Sequence, residues 1–277
     1  MNNELYYFSG TGNTLYVAKS IAKKTKGTLV PIASLQNNQK VKPKASKMGI
    51  IFPVYYMGVP IIVKKFIQKL ENLENKYIYA IATYGGGVGN SLKIVEKLIS
   101  ERRGTLDASF GIHMPQNAFS KFYESPIKVL KKSKKKIEKI SKSINRGKKG
   151  MLLSDLLFYI LLSPISKALK PLYRKSLAEL SNSSLKLPTE EFIYRGDKTF
   201  SVNEDCSGCG ICAKVCPVEN IEIENTKPVW QNHCENCLAC YNFCPNNAIN
   251  SEIAEEGFYY KHPSVTVSDM ISQKKGK

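Results

Sequence analysis

Leu5-Tyr6-Tyr7-Phe8-Ser9-Gly10-Thr11-Gly12-Asn13-Thr14 is the stretch on which the fold turns. Its first four residues are an unbroken apolar run bounded by small residues, which predicts a short buried strand. The next six are rich in hydroxyls and glycine, and Leu15, Ala18, Ile21 and Ala22 then recur at helical spacing. A strand, a turn and a helix in that order seat a phosphate on a helix N-terminus. No Lys-Ser/Thr pair closes the turn, and Leu15 stands where a dinucleotide fingerprint needs its third glycine. What remains is a turn offering backbone N–H groups and the hydroxyls of Ser9, Thr11 and Thr14, with no cationic side chain. That chemistry suits a phosphomonoester held by neutral donors. A tight glycine turn without a ligand is the other reading.

Two further segments repeat the strand–loop–helix pattern. Met48 to Val54 predicts a strand opening into Tyr55-Tyr56-Met57-Gly58-Val59-Pro60, with Pro60 suited to a first helical turn and Val63, Phe66, Ile67 and Leu70 as the buried helix face. Tyr77 to Thr83 predicts a strand running into Tyr84-Gly85-Gly86-Gly87-Val88-Gly89, followed by helical spacing at Leu92, Val95, Leu98 and Ile99. With Thr28 to Ile32 and Thr105 to Met114 this makes five strands alternating with helices. The fold class expected is α/β, an open, doubly wound, five-stranded parallel sheet with ligand loops at the strand carboxyl ends. His113, in the last strand, reads as a packing residue.

At Ser9-Gly10-Thr11-Gly12-Asn13-Thr14 the sequence resembles the flavodoxins, whose first loop, [ST]-x-T-G-N-T, binds the phosphate of FMN. The resemblance implies that the other two loops flank the isoalloxazine ring. On it, Tyr55 belongs to the ring loop, Tyr56 or Met57 and Tyr84 stack on the ring, and the backbones of Gly58, Gly85, Gly86 and Gly87 approach its edge. Glycine is apt there because it leaves a peptide beside flavin N5 free to flip, which a side chain would hinder. Tyrosines at strand ends also serve as half-buried packing residues, and that reading stays open.

All eight cysteines lie between Cys206 and Cys244, in two copies of one pattern: Cys206-x2-Cys209-x2-Cys212-x3-Cys216-Pro217 and Cys234-x2-Cys237-x2-Cys240-x3-Cys244-Pro245. Thiolates two residues apart curl a backbone round three irons of one [4Fe–4S] cube, and the proline turns the chain away after the fourth cysteine. Structural zinc, with His233 as a spare ligand, is the competing reading, but zinc has no use for a third regularly spaced cysteine. Disulfides fit poorly where no secretory signal precedes the chain. From about Thr199 to Asn250 the chain resembles the bacterial two-cluster ferredoxins. In that family the fourth cysteine of each run ligates the opposite cluster, so the resemblance assigns Cys206, Cys209, Cys212 and Cys244 to one cluster and Cys234, Cys237, Cys240 and Cys216 to the other. Small residues between the ligands (Ser207, Gly208, Gly210, Asn236, Ala239) let N–H groups approach sulfur, and residues such as Ile211, Val215, Ile221 and Phe243 supply a dry shell.

The chain has 277 residues, 43% hydrophobic, room for one medium domain and a small one. No basic leader follows Met1 and no window approaches the ~18 apolar residues of a spanning helix, so a cytoplasmic protein of a reducing compartment is expected. The net charge of +18 is unevenly placed. Pro126 to Gly150 holds ten lysines and Arg146 against Glu138, whereas Thr199 to Asn250 holds six acids against Lys214 and Lys227. Opposite signs favour docking of the two segments or recruitment of different partners, at least one of them acidic; a solvated helix face also accounts for the lysines. The predicted helix at 126–150 has an apolar line at Val129, Ile137, Ile140 and Ile144. The apolar positions that follow, from Leu152 to Leu161, either pack between domains or, with the lysines, give peripheral membrane contact through 126–165.

The expected organisation is a flavodoxin-like FMN domain over 1–150, a helical connector over 151–196 with linker character from Ser181, a small α+β two-cluster domain over 197–254, and a partly disordered tail over 255–277. Resemblance at both ends points to an electron carrier that relays electrons between two [4Fe–4S] clusters and FMN in anaerobic redox metabolism, meeting redox partner proteins. The alternative is an iron–sulfur flavoenzyme whose clusters feed FMN that reduces a quinone-like or nitro compound. A zinc-containing nucleic-acid-binding module, the third class, lacks interleaved aromatic and basic residues near Lys128 to Lys149, so no nucleic acid is expected.

Overall fold

The computed structural model describes residues 2–120, 124–152, 155, 169 and 171–275. Six parallel strands form one sheet in the order β2-β1-β3-β4-β5-β6. They are β1 (Asn3–Tyr7), β2 (Thr28–Pro31), β3 (Lys47–Pro53), β4 (Tyr77–Tyr84), β5 (Leu106–His113) and β6 (Gly150–Met151). The five predicted strands are joined by β6, a two-residue edge strand too short to leave a pattern in sequence. Between them run α1 (Asn13–Thr25), α2 (Ile61–Gln68), α3 (Ser91–Glu101) and α4 (Pro126–Asn145). Helix α1 packs beside α4 and α2 beside α3. The central strands are apolar on both faces because both faces are covered: Met48, Ile50, Ile51 and Phe52 of β3 and Ile78 to Ala82 of β4 are fully buried.

Helix α4 buries Val129, Ile137, Ile140 and Ile144, the line read from sequence, and turns Lys128, Lys131, Lys132, Lys135, Lys139 and Lys142 outward. Lys136 pairs with the buried Asp155, whose other oxygen accepts from Gly111 N–H on β5. The apolar half of the expected membrane contact, residues 156–165, lies outside the described residues.

The stretch from Ser181 expected to have linker character is built structure, and it follows a helical segment of the connector. Residues 171–180 are helical, and after a turn α5 (Thr189–Tyr194) follows. Phe192, fully buried, packs on Leu177, Ala178 and Tyr56. Arg174 holds the turn by donating to Leu185 O, Leu187 O and Thr189 Oγ1, its guanidinium over the Phe192 ring.

The C-terminal module contains two short helices, α6 (Ile211–Val215) and α7 (Ala239–Phe243), a hairpin of β8 (Ile221–Glu224) and β9 (Lys227–Trp230), and a second small ladder between β7 (Ser201–Val202) and β10 (Ile249–Asn250). The doubled cysteine motif folds the same way twice. Gly208 and Gly210 are left-handed in the first copy, and Asn236 and Leu238 take those conformations at the equivalent positions of the second. A leucine accepts that backbone at a cost; here its side chain is buried. Within the tail expected to be partly disordered, α8 (Val267–Lys275) is a formed helix whose Met270 and Gln273 are buried against the rest of the molecule. Val265 and Met270 join the main core, as do Val215, Cys237, Ala239 and Phe243 of the cysteine module.

Candidate functional site

All loops that follow β1, β3, β4 and β5 emerge at one edge of the sheet, since the strands are parallel. A hollow there is lined by Ser9, Gly10, Thr11, Asn13 and Thr14, by Pro53, Val54 and Tyr55, by Thr83, Tyr84 and Gly85, and by Met114 to Asn117. Gly12 stands behind the turn as the N-cap of α1 with φ +92, and a Cβ there would lie 2.9 Å from Val265 Cβ. Both facts demand glycine. Ser9 Oγ accepts from Gly12 N–H, and Thr14 and Thr83 hydroxyls meet at 2.7 Å. Among the described residues no protein acceptor is recorded for the N–H groups of Gly10, Thr11, Asn13 and Thr14. Free donors at the start of a 13-residue helix, with hydroxyls beside them and no carboxylate lining the hollow, fit a phosphate.

Residues 114–117 also line the hollow and were not anticipated. Asn117 Nδ2 donates to Thr11 Oγ1, and Asn13 Nδ2 donates to Pro115 O. Of the residues assigned to the flavin ring by resemblance, Tyr55, Tyr84 and Gly85 line the hollow. Tyr84 stacks on His113, whose Nε2 meets Gly85 O at 2.9 Å. Tyr56, Met57, Gly58, Gly86 and Gly87 stand away from its lining. Tyr56 and Met57 are both left-handed, in a turn closed by Tyr55 and Gly58 backbones. That twist sends Tyr56 Oη to Asn236 Nδ2 of the cysteine module and sets Met57 against Gly87 and Gly89.

The cysteines surround two hollows. One is lined by Cys206, Cys209, Cys212 and Cys244, together with Ile223, Pro228 and Ile249. The other is lined by Cys216, Cys234, Cys237 and Cys240, with Phe200, Ile221, Trp230 and Leu238. Each set takes three cysteines from one motif and the fourth from the other. Among the described residues no three His, Cys, Asp or Glu side chains are grouped as they would be round a single ion. His233 is exposed, its ring nitrogens on Gln231 O and Val218 O.

The donor set fits a cluster in three respects. Burial pushes the Cys212 thiol up to about 11 and Cys237 up to about 12, and raises Cys216, Cys234 and Cys240. A positive centre is needed to hold them as thiolates. Backbone N–H groups of Asn220, Asn236 and Ala248 already donate to Cys216, Cys234 and Cys244 sulfurs at 3.3 Å. The buried Trp230 Nε1–H has no partner within hydrogen-bond range and interacts with Cys240, whose charged form it favours.

The two sites touch. A Cβ on Gly10 would stand 2.4 Å from Cys237 O, 3.1 Å from Cys237 Cβ and 2.5 Å from Tyr55 Oη. Glu235, between Cys234 and Cys237 in sequence, is buried and accepts from Ile61 N–H at 2.9 Å and Ile62 N–H at 2.7 Å, the first turn of α2. Burial raises its carboxyl to about 7 against the pull of those two bonds. The two hollows differ in exposure, Cys209 being open to solvent while Cys216, Cys234, Cys237 and Cys240 are buried.

Comparison with known proteins agrees with this layout. The family described as "Flavodoxin domain" matches residues 5–87, and that described as "4Fe-4S dicluster domain" matches 198–245. A search of curated proteins gave no match. Similar solved structures include an azoreductase from Bacillus anthracis, 12% identical, covering 53% of this chain and 100% of its own, with a TM-score of 0.39. An NADH:FMN oxidoreductase is 15% identical over 51% of this chain and 89% of its own, TM-score 0.37. A flavodoxin from the domain Archaea is 15% identical over 52% and 99%, TM-score 0.35. Among the described residues no helix is long and apolar enough to cross a membrane. The chain joins a flavodoxin-like FMN domain to a 4Fe-4S domain, the make-up of an iron–sulfur flavoprotein with a redox role.

Proposed function

We propose that the protein relays electrons between two [4Fe–4S] clusters and one FMN. Cys206, Cys209, Cys212 and Cys244 hold the outer cluster, and Cys216, Cys234, Cys237 and Cys240 the inner one. The observation that carries this reading is the contact of Gly10 with Cys237, which sets the phosphate turn directly against the loop of the inner cluster. FMN, when bound, exchanges electrons singly or in pairs, whereas each cluster carries one. The chain's own residues do the rest: the free N–H groups of Gly10, Thr11, Asn13 and Thr14 bind the phosphate, Tyr55, Tyr84 and Gly85 border the ring, and Glu235 fixes the cluster loop on α2. The exposed Cys209 makes the outer cluster the port for a partner protein. An acidic partner suits the outward lysines of α4, and its rate of electron exchange falls as salt rises. Contact of 126–165 with anionic lipid is the other use of that face, read out by sedimentation with anionic vesicles.

Gly86 is exposed, and a Cβ built on it meets no atom within 4 Å. That space beside the ring loop favours, as a second reading, reduction of a small quinone-like or nitro acceptor. Anaerobic purification followed by iron, sulfide, zinc and FMN quantification is the test. About eight irons and one FMN per chain are expected for two four-iron clusters. Zinc in place of iron refutes the relay. Turnover of a small acceptor by holoprotein without a partner protein selects the second reading over the first.

A further inference from the structure

We propose that Tyr259–Lys275 is a strap that makes FMN retention depend on the integrity of the cluster loops, with Gln273 as the positioning residue of the phosphate turn. This rests on residues 9–14 being the FMN phosphate turn. The segment lies beyond both family matches, which end at 87 and 245.

Both ends of the strap are rooted in the helices that carry cluster ligands. At its start Tyr259 stacks on Tyr241 at 4.7 Å, and Tyr260 N–H donates to Asn242 Oδ1 at 2.6 Å. Tyr241 and Asn242 lie between Cys240 and Cys244. At its end Lys274 Nζ donates to Ala213 O at 3.3 Å and pairs with Glu219. Ala213 lies between Cys212 and Cys216, so each anchor stands on a backbone that four-iron ligation would hold in shape.

The middle of the strap takes the phosphate turn from behind. Tyr260 Oη donates to Asn13 Oδ1 at 2.8 Å, His262 N–H donates to Thr11 O at 2.9 Å, and Val265 fills the space left by Gly12. Gln273, 1% exposed, grips Ser9 from both sides: its Nε2 donates to Ser9 O at 3.2 Å and its Oε1 accepts from Ser9 N–H at 3.1 Å. Ser9 in turn accepts from Gly12 N–H. The strap thereby engages Ser9 N–H, Ser9 O, Thr11 O and the Asn13 side chain, and leaves the N–H groups of Gly10, Thr11, Asn13 and Thr14 for an anion. An amide does this without placing a negative charge beside a phosphate.

The test measures FMN affinity by flavin fluorescence on holoprotein of known iron and sulfide content. Gln273→Ala and Gln273→Met should each weaken FMN binding about ten- to a hundredfold, the effect of leaving buried Ser9 groups unpaired, with iron unchanged. Methionine keeps the volume and loses both bonds, so wild-type affinity in Gln273→Met would reduce Gln273 to packing and overturn its positioning role. Tyr260→Phe, a milder change should the first two fail to fold, is expected to weaken binding about threefold, for one partly buried bond. Iron is then removed anaerobically from wild type with a chelator. FMN fluorescence should rise in step with loss of cluster absorbance. Unchanged FMN affinity after iron removal would sink the coupling while leaving the FMN reading intact. A holoprotein that binds no FMN would sink both.

Discussion

Replacing Gly10 by alanine probes the contact on which the relay rests. The added methyl would sit 2.4 Å from Cys237 O and 2.5 Å from Tyr55 Oη, well inside contact distance, and 3.1 Å from Cys237 Cβ. The clash has little room to relax, because Cys237 is buried and the Tyr55 hydroxyl is enclosed without a partner. Gly10 is not among the positive-φ residues, so the penalty is steric rather than conformational. An extra methyl forced into a packed contact costs about 1–3 kcal/mol. The loop must recede from Cys237, which also moves the free N–H groups of the turn. Gly10→Ala is therefore expected to lower unfolding free energy by that amount, weaken FMN binding, and slow electron exchange between reduced clusters and flavin in stopped flow. Gly86→Ala is the control. Its Cβ meets nothing and its φ is not positive, so a change within about 0.5 kcal/mol is expected, as for ordinary surface sites. Equal loss of stability in the two variants on denaturation would refute the contact.

Three other outcomes follow from the geometry. Cys216→Ala should empty the hollow of Cys234, Cys237 and Cys240 and spare that of Cys206, leaving about half the iron; electron paramagnetic resonance that loses the Cys206 cluster instead would overturn the cross-ligation. Trp230→Phe removes the N–H beside Cys240, so the inner cluster should shift to a more negative potential in spectroelectrochemistry, since hydrogen bonds to sulfur stabilise the reduced state; an unchanged potential would remove Trp230 from the cluster's environment. Burial, helped by the Lys134 charge, lowers His262 from 6.5 to about 4. Its folded value lies below its unfolded one, so the unfolded chain takes the proton first. The stability of the neutral ring is then complete above about pH 6.5 and lost as the pH falls to about 4. His262→Asn should show a flatter loss than wild type in unfolding measured across that range.

Legibility in the sequence followed the range of the interactions. The turn at 9–14 is a local object: Gly12 needs its left-handed backbone, and the hydroxyls act within a few residues, so six letters suffice. Strands β3 and β4 are continuous apolar runs because both faces are buried, and that too is local. The cysteine spacing is a local pattern too, written twice in the sequence. Residues 114–117 gave no local sign, since they enter the hollow only because β5 ends where it does. The direction of Tyr56 was equally hidden, for its partner Asn236 is 180 residues away. The strap reads as partly disordered in sequence because most of its polar residues find partners only across the molecule. One local sign does exist: Thr266-x-x-Asp269 is a helix-start signature, and Thr266 N–H donates to Asp269 Oδ2 while Asp269 N–H donates to Thr266 Oγ1.

The charge asymmetry of the chain is explained in part by the same edge of the sheet. Helices α1 and α2 both begin there, and helix N-termini favour negative groups. One of them offers its free N–H groups to the phosphate site, and the other receives the Glu235 carboxylate from between two cysteines. Ion pairs repeat the theme at the periphery: Lys19 with Asp269, Lys64 with Glu190, and Lys274 with Glu219. These exposed or partly exposed pairs contribute little each; Lys19 and Lys64 set acids of the segments flanking the cysteine module on α1 and α2, whereas Lys274 ties the C-terminal helix to the module itself. On the proposed relay, a module docked this way would exchange electrons with its neighbour without a diffusional encounter. Apart from Lys136, paired with Asp155, and Lys132, paired with Glu124, the lysines of α4 face outward, a block of positive charge that suits the acidic partner proposed above.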